Sequence, residues 1–160
     1  MKRIVTRRSI LRASAAALIV ATAGTMLLSA ANAGVATVIV YKDPSCGCCQ
    51  AWAEHLRTAG FAISVVARKD MSNLKRSLQV PADLVSCHTA TVGEYVIEGH
   101  VPAADIWRTL REQPEILGLT VPGMPVGSPG MEVPGQSNQP YNVVAFDARG
   151  RRSVFSSHGG

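Results

Sequence analysis

Three of the four cysteines in this chain of 160 residues fall within four consecutive positions, Cys46-Gly47-Cys48-Cys49. Cys46 and Cys49 form a C-x-x-C pair, the spacing used for disulfide exchange and for clipping a metal ion. One of the intervening residues is itself a thiol, Cys48, and the remaining cysteine, Cys87, is followed at once by an imidazole, His88. The chemistry on offer is therefore that of clustered sulfur: nucleophilic exchange, or coordination of a soft metal.

The elements around these residues say how they are held. Val35 to Tyr41 is apolar and β-branched and predicts a buried strand. Lys42-Asp43-Pro44-Ser45 predicts a turn, and Gln50 to Ala59 a helix with Gly60 at its C-cap. The thiols thus stand where a strand hands over to a helix N-terminus, whose free N–H groups and positive dipole end favour thiolates. Phe61 to Ala67 predicts a second strand, which completes a parallel, right-handed βαβ unit. A short helix follows at Asp70 to Leu78, with Ser72 as candidate N-cap. Strands at Thr89–Val92 and Tyr95–Glu98 flank a tight turn at Gly93-Glu94, and Pro102 opens a helix over Ala103–Glu112. Tyr141 to Phe146 and Ser153 to Phe155 predict a hairpin around Ala148-Arg149-Gly150.

Between them, Gln113 to Pro140 holds six prolines and five glycines in 28 residues and shows no periodicity. A loop of that length inside a compact domain is either disordered or functional, and it carries Met124 and Met131. The order β-α-β-α-β-β-α is that of a thioredoxin-like three-layer α/β fold, here with an added Gly/Pro-rich loop and a C-terminal β-hairpin. In that fold the C-x-x-C begins the first helix, and Cys87 faces it.

Residues 1–33 are expected to be a cleaved export signal and 34–160 the folded domain. Five positive charges and no acid lie in Met1 to Arg12, no charge lies in Ala13 to Ala31, and Ala31-Asn32-Ala33 has the small-x-small form of a cleavage site. The uncharged run is long enough to span a bilayer, but its Ala-rich composition favours cleavage over a permanent anchor. Thr6-Arg7-Arg8-Ser9-Ile10-Leu11 fits the twin-arginine export pattern, against an ordinary secretory signal with two neighbouring arginines. The signal takes five of the 16 Lys and Arg residues, leaving 11 against 11 acids, so the basic character belongs to the signal. No basic stripe remains to support nucleic-acid binding, and no membrane association is expected once the signal is gone. The expected location is the periplasm. In such an oxidising compartment four cysteines suggest two structural disulfides. The crowding of three thiols into one turn, two of them adjacent, speaks against that.

The chain resembles the periplasmic, thioredoxin-like proteins of CopG type found with bacterial copper-resistance systems. The resemblance rests on Tyr41-Lys42-Asp43-Pro44-Ser45-Cys46-Gly47-Cys48-Cys49, on Cys87-His88-Thr89-Ala90, on the stretch from Tyr95 through Gly99-His100-Val101-Pro102 to Ala103, and on Gly123-Met124-Pro125-Val126-Gly127-Ser128-Pro129-Gly130-Met131-Glu132. These stretches lie in order along 34–160, from Tyr41 to Glu132. The resemblance implies copper binding by Cys46, Cys48, Cys49 and Cys87 and a role in copper tolerance, with redox interconversion of Cu(I) and Cu(II) or simple sequestration and handover as the chemical alternatives.

Residue chemistry is compatible with that expectation. Cu(I) is soft and favours thiolate and thioether ligands, and bridging thiolates let four sulfurs hold more than one copper ion. A structural Cys₄ zinc site and a [2Fe–2S] centre are the competing metal readings, although their usual spacings differ. A thiol–disulfide oxidoreductase using Cys46 and Cys49 alone is the competing function. His88 is a candidate ligand, neighbour of a ligand, or redox or proton carrier. Met124 and Met131 are candidate outer ligands, a lid, or loop residues packed on the core. For His100 a hydrogen-bonded structural role stands beside a role in the site, and His55 is expected to be a solvated helix residue, His158 a tail residue, and Trp52 and Trp107 core. Copper ions, and other periplasmic copper-handling proteins, are the expected partners.

Overall fold

The computed structural model describes residues 35–159, so the export segment expected over 1–33 lies outside the described residues. The protein is mixed α/β. A seven-stranded sheet runs in the order β2-β1-β3-β4-β5-β6-β7, with β1 at Thr37–Lys42, β2 at Ala62–Ala67, β3 at Thr89–Val92, β4 at Tyr95–Glu98, β5 at Gly118–Thr120, β6 at Tyr141–Phe146 and β7 at Arg152–His158. Among the described residues, three α-helices, α1 (Gly47–Thr58), α2 (Met71–Ser77) and α3 (Ala103–Glu112), accompany it, with a short 3-10 turn at Ala82–Leu84.

β1 pairs in parallel with β2 and antiparallel with β3, and β3 pairs antiparallel with β4. Strand alternation splits the apolar residues between two cores. Val38, Val40, Ala90 and Ile97 point into the larger one, which α1 closes with Trp52 and Leu56 and α3 with Ile106. Val96 and Phe146, on the other face, pack with Val80 and Leu84 of the segment that follows α2. The indole N–H of Trp52 donates to the carbonyl of Val101 at 2.9 Å, tying α1 to the chain entering α3.

Several boundaries differ from the sequence expectation. α1 starts at Gly47 rather than Gln50, because its buried stripe of Cys49, Trp52, Ala53 and Leu56 begins at a cysteine. It ends at Thr58 with Ala59 as the C-cap, one residue before the Gly60 expected there; Gly60 follows with a φ of +93°, and Phe61 N–H donates to Leu56 O at 3.1 Å, which closes the last turn. The N-cap of α2 is Asp70, whose carboxylate accepts from the N–H of Asn73, and not Ser72. The Gly/Pro-rich stretch is not structureless, since Gly118–Thr120 joins the sheet between β4 and β6. Three residues are too few to show a period. Gly118 is required there, because a Cβ would lie 2.0 Å from the carbonyl oxygen of Val96. β7 reaches His158, which is therefore strand rather than tail: its Nε2 lies 2.8 Å from Asp105 Oδ2, and its ring stacks on Tyr141. No helix among the described residues is long and apolar enough to cross a membrane.

Candidate metal centre

The turn that presents the cysteines is built from polar contacts on its own backbone. Lys42 is buried, and its ammonium donates to the carbonyls of Asp43 (3.0 Å) and Pro44 (3.4 Å). The Asp43 carboxylate accepts from Ser45 N–H at 2.8 Å and from its hydroxyl at 2.5 Å, and these bonds hold its pKa below the ordinary value. Cys46 N–H closes the turn onto Asp43 O at 3.1 Å. Cys46 then occupies the N-cap of α1 with no side-chain cap bond, and Cys48 and Cys49 sit in the first helical turn. The sulfurs thus stand at the positive end of the helix, where a capping oxygen would usually sit.

Cys46 and Cys49 are joined as a disulfide, with their Cα atoms 5.5 Å apart; Cys48 and Cys87 are free thiols. Cys48 Sγ lies 3.5 Å from Cys46 Sγ and 4.0 Å from Cys87 Sγ. All four sulfurs lie within 4.8 Å of one another. Residues 39 positions apart thus meet in one place, because Cys87 directly precedes the segment that enters β3, the strand beside β1.

Two imidazoles complete the cluster. Cys87 Sγ lies 3.2 Å from His88 Nδ1 and 3.1 Å from His100 Nε2, and these three donor atoms also group within 4.8 Å. His100 Nδ1 is 2.8 Å from the carbonyl oxygen of Pro129. A carbonyl only accepts, so Nδ1 carries the proton and Nε2 turns its lone pair toward Cys87. His88 is fully buried under Trp52, with ring centroids 4.4 Å apart, and its Nε2 has no partner among the described residues. Burial, then the charges of His100 and Lys75, press its pKa well below the ordinary value. Burial also lowers that of His100. Both rings are therefore neutral near pH 7, the form that ligates metals. Burial first, and then Cys48, push the Cys87 thiol up to about 12. Its proton stays on until a cation replaces it.

The Gly/Pro-rich stretch folds over this cluster. Met131 N–H bonds to Ser128 O at 2.8 Å, and Ser128 Oγ to Pro125 O at 2.7 Å, which makes a compact turn. Gly130, at φ +84°, lies so close to α1 that a Cβ would be 2.7 Å from Trp52 N and 3.0 Å from Cys48 O. Met131 follows it in the chain and is half-buried. Met124 is exposed and follows Gly123, whose carbonyl accepts from the Ser86 hydroxyl beside Cys87.

His100, for which the sequence left a hydrogen-bonded structural role and a site role open, has both: Nδ1 bonds Pro129 O and Nε2 joins the cluster. The hairpin register carried the missing signal: the tight turn at Gly93-Glu94 pairs Thr89 with Glu98, and continuing the ladder outward sets Cys87 opposite His100. His55, read as solvated, is half-buried, and its Nε2 accepts from Ala103 N–H at 3.2 Å as a cap for α3.

This combination, a mixed α/β protein with a sulfur-rich and imidazole-lined cluster at a helix N-terminus, is a donor set suited to a soft metal ion. The chain belongs to the family of the copper resistance protein CopG. Two solved structures of that protein, described as its form 2 and form 1, match with a TM-score of 0.73 each. They share 43% and 44% identity with this chain, and the matches cover 77% and 78% of it and 98% of theirs. A family model described as a protein of unknown function, DUF411, matches residues 84–131, the span from before Cys87 to Met131. No curated protein matches the chain.

Proposed function

We propose that the protein is an exported copper-handling protein whose cargo is bound by Cys46, Cys48, Cys49 and Cys87. The meeting of the four sulfurs within 4.8 Å carries this reading. Thiolates suit Cu(I), neutral imidazoles suit both oxidation states, and bridging sulfurs accommodate more than one ion. His88 and His100 serve as further ligands or as neighbours that orient Cys87, and Met124 and Met131 as soft groups at the rim. The fold supporting the site is read as thioredoxin-like, with β1-α1-β2 and β3-β4-α3 as its two halves and the Gly/Pro-rich stretch and terminal hairpin added. Residues 1–33 are read as a twin-arginine signal, cleaved to leave the domain 34–160 in the periplasm, where other copper-handling proteins are its partners.

The site is further read as interconverting copper oxidation states. The Cys46–Cys49 disulfide stores two oxidising equivalents. Two Cu(I) ions held by Cys48, Cys87 and the imidazoles each give up one electron and become Cu(II); the disulfide accepts the pair and opens to two thiolates, which then join the ligand set. His88 beside Cys87 then supports Cu(II) or carries a proton. Replacing His88 by Ala should slow copper oxidation more than it weakens Cu(I) binding, because the sulfurs remain.

Anaerobic copper titration of the reduced protein and of Cys48→Ser and Cys87→Ser tests the binding claim. Each serine variant is expected to lose copper stoichiometry or at least about tenfold in affinity. Full stoichiometry in both would remove the four-cysteine site. The competing thiol–disulfide oxidoreductase, favoured by the formed Cys46–Cys49 disulfide, would retain its exchange activity in both variants.

A further inference from the structure

A second polar cluster lies directly behind Cys87, and copper binding as proposed above makes no use of it. Glu98, the last residue of β4, is fully buried, as is Thr89, and Lys75 of α2 nearly so. Glu98 Oε1 accepts from Lys75 Nζ at 2.5 Å and from the backbone N–H of Ser86 at 2.6 Å. Its Oε2 accepts from the Thr89 hydroxyl at 2.7 Å, and Lys75 Nζ also donates to the Thr89 oxygen at 3.0 Å. One carboxylate therefore grips the chain immediately before Cys87 and two residues after it. The same residue precedes Gly99-His100, so it also fixes the strand end that carries the second imidazole.

The local backbone is shaped to admit this grip. Gly99 has a φ of +73°, and a Cβ there would lie 2.5 Å from Ser86 Oγ and 2.7 Å from Val121 O. Gly99 N–H bonds to His88 O at 3.0 Å, which continues the β3–β4 ladder beyond Thr89. Burying a charged pair is costly, and an apolar pair of similar volume often serves stability as well or better. A bare stabilising role also leaves unexplained why the acceptor lone pairs converge on Ser86 and Thr89, on either side of the Cys87–His88 dipeptide.

We infer that Glu98, neutralised by Lys75 and braced by Thr89, is a positioning residue that holds Cys87 between its two imidazoles in the geometry the metal needs. The inference rests on the copper reading only for its consequence; the bracing of Cys87 itself is a property of the metal-free chain. Outer-sphere partners of this kind tune metal affinity by about 10–100-fold.

The test uses two charge-free versions of the cluster in the otherwise intact protein. Lys75→Met/Glu98→Gln keeps an acceptor for Ser86 N–H, whereas Lys75→Met/Glu98→Leu removes it. Thr89→Val, a near-isosteric change, cuts a single arm and keeps the inference open to refutation should the Leu variant not fold. Two quantities are read at fixed pH for each: the rate of Cys87 carbamidomethylation by iodoacetamide in metal-free, disulfide-intact protein, resolved from Cys48 by peptide mass, and the Cu(I) affinity of reduced protein against a chromophoric chelator. Loss of hydrogen bonds to a charged group predicts about tenfold or more faster alkylation for the Leu double variant and about threefold for Thr89→Val. Both changes should be matched by weaker copper binding, while the Gln double variant stays near wild type. Equal alkylation rates and affinities in the folded Leu double variant and the Gln double variant, or in Thr89→Val and wild type, overturn the inference. Faster Cys87 alkylation in a chain that binds no copper keeps the bracing role and rejects the copper reading instead.

Discussion

Replacing Gly130 by Ala probes whether the Gly/Pro-rich stretch is part of the metal centre. Gly130 has a φ of +84°, and its missing Cβ would stand 2.7 Å from Trp52 N and 3.0 Å from Cys48 O. Neither obstacle is a flexible side chain; both are backbone atoms in the first turns of α1, so relief requires the loop to lift. The left-handed conformation costs an alanine about 1–2 kcal/mol, and forcing a methyl group into a packed contact costs about 1–3 kcal/mol. Lifting the turn also stretches the bond from His100 Nδ1 to Pro129 O, 2.8 Å long, worth about 1 kcal/mol. Because undocking relieves part of the clash, the net loss is about 2–4 kcal/mol, which lowers the melting temperature of a domain this size by roughly 8–15 °C. Thermal unfolding of the metal-free protein, followed by circular dichroism, reads the loss directly. Copper affinity should fall as well, since His100 loses the contact that aims Nε2 at Cys87. A Gly130→Ala protein melting within about 2 °C of wild type would refute the docked loop and the steric argument together.

Other expectations follow from the same geometry. The Cys87 thiol is pushed up to about 12 from an ordinary 9.0 by burial and then by Cys48, so the folded state resists forming that thiolate. This contribution to stability is complete below pH 9 and is lost as pH rises toward 12; urea midpoints across that range should fall more steeply for wild type than for Cys87→Ser, and parallel curves would count against it. Copper bound at Cys87, as proposed, displaces the thiol proton, so Cu(I) affinity should rise about tenfold per pH unit for that site below its thiol pKa, as measured by chelator competition at a series of pH values; a flat profile would exclude Cys87 as a ligand. Trp52→Phe removes the donor to the Val101 carbonyl and leaves a buried acceptor unpaired, which should cost about 1–3 kcal/mol in denaturant unfolding; a cost near zero would show that the indole N–H does not tether α1.

Much of the scaffold was legible because its signals are local. β3, β4, α3 and β6 run where periodicity and turn residues put them, since each is bounded by Gly, Pro or a tight turn. The start of α1 was not, because Gly47 and two cysteines look poor as helix formers while tertiary burial of Cys49 extends the helix through them. β5 was illegible for a different reason: Gly118–Thr120 gains its place from two neighbouring strands, and nothing within three residues announces that. His158 and His55 were misjudged because their partners, Asp105 and the N–H of Ala103, lie 53 and 48 residues away.

The cluster itself shows how far local signals reach into long-range geometry. Cys48 and Cys87 approach through strand neighbours, since β1 leads into the cysteine turn and β3 begins just after Cys87 and runs beside β1. The approach of His100 to Cys87 needs only a hairpin. A two-residue turn at Gly93-Glu94 sets the register that pairs Val92 with Tyr95 and Thr89 with Glu98. The bond from Gly99 N–H to His88 O carries that register one step further. One more step sets a thiol opposite an imidazole, and Pro129 O fixes which nitrogen of that imidazole meets the thiol. An inserted residue at the turn would move His100 to the other face of β4 and break the Glu98 bracket with it. The Cys-His pair is thus as well specified by the turn as the C-x-x-C is by the helix start.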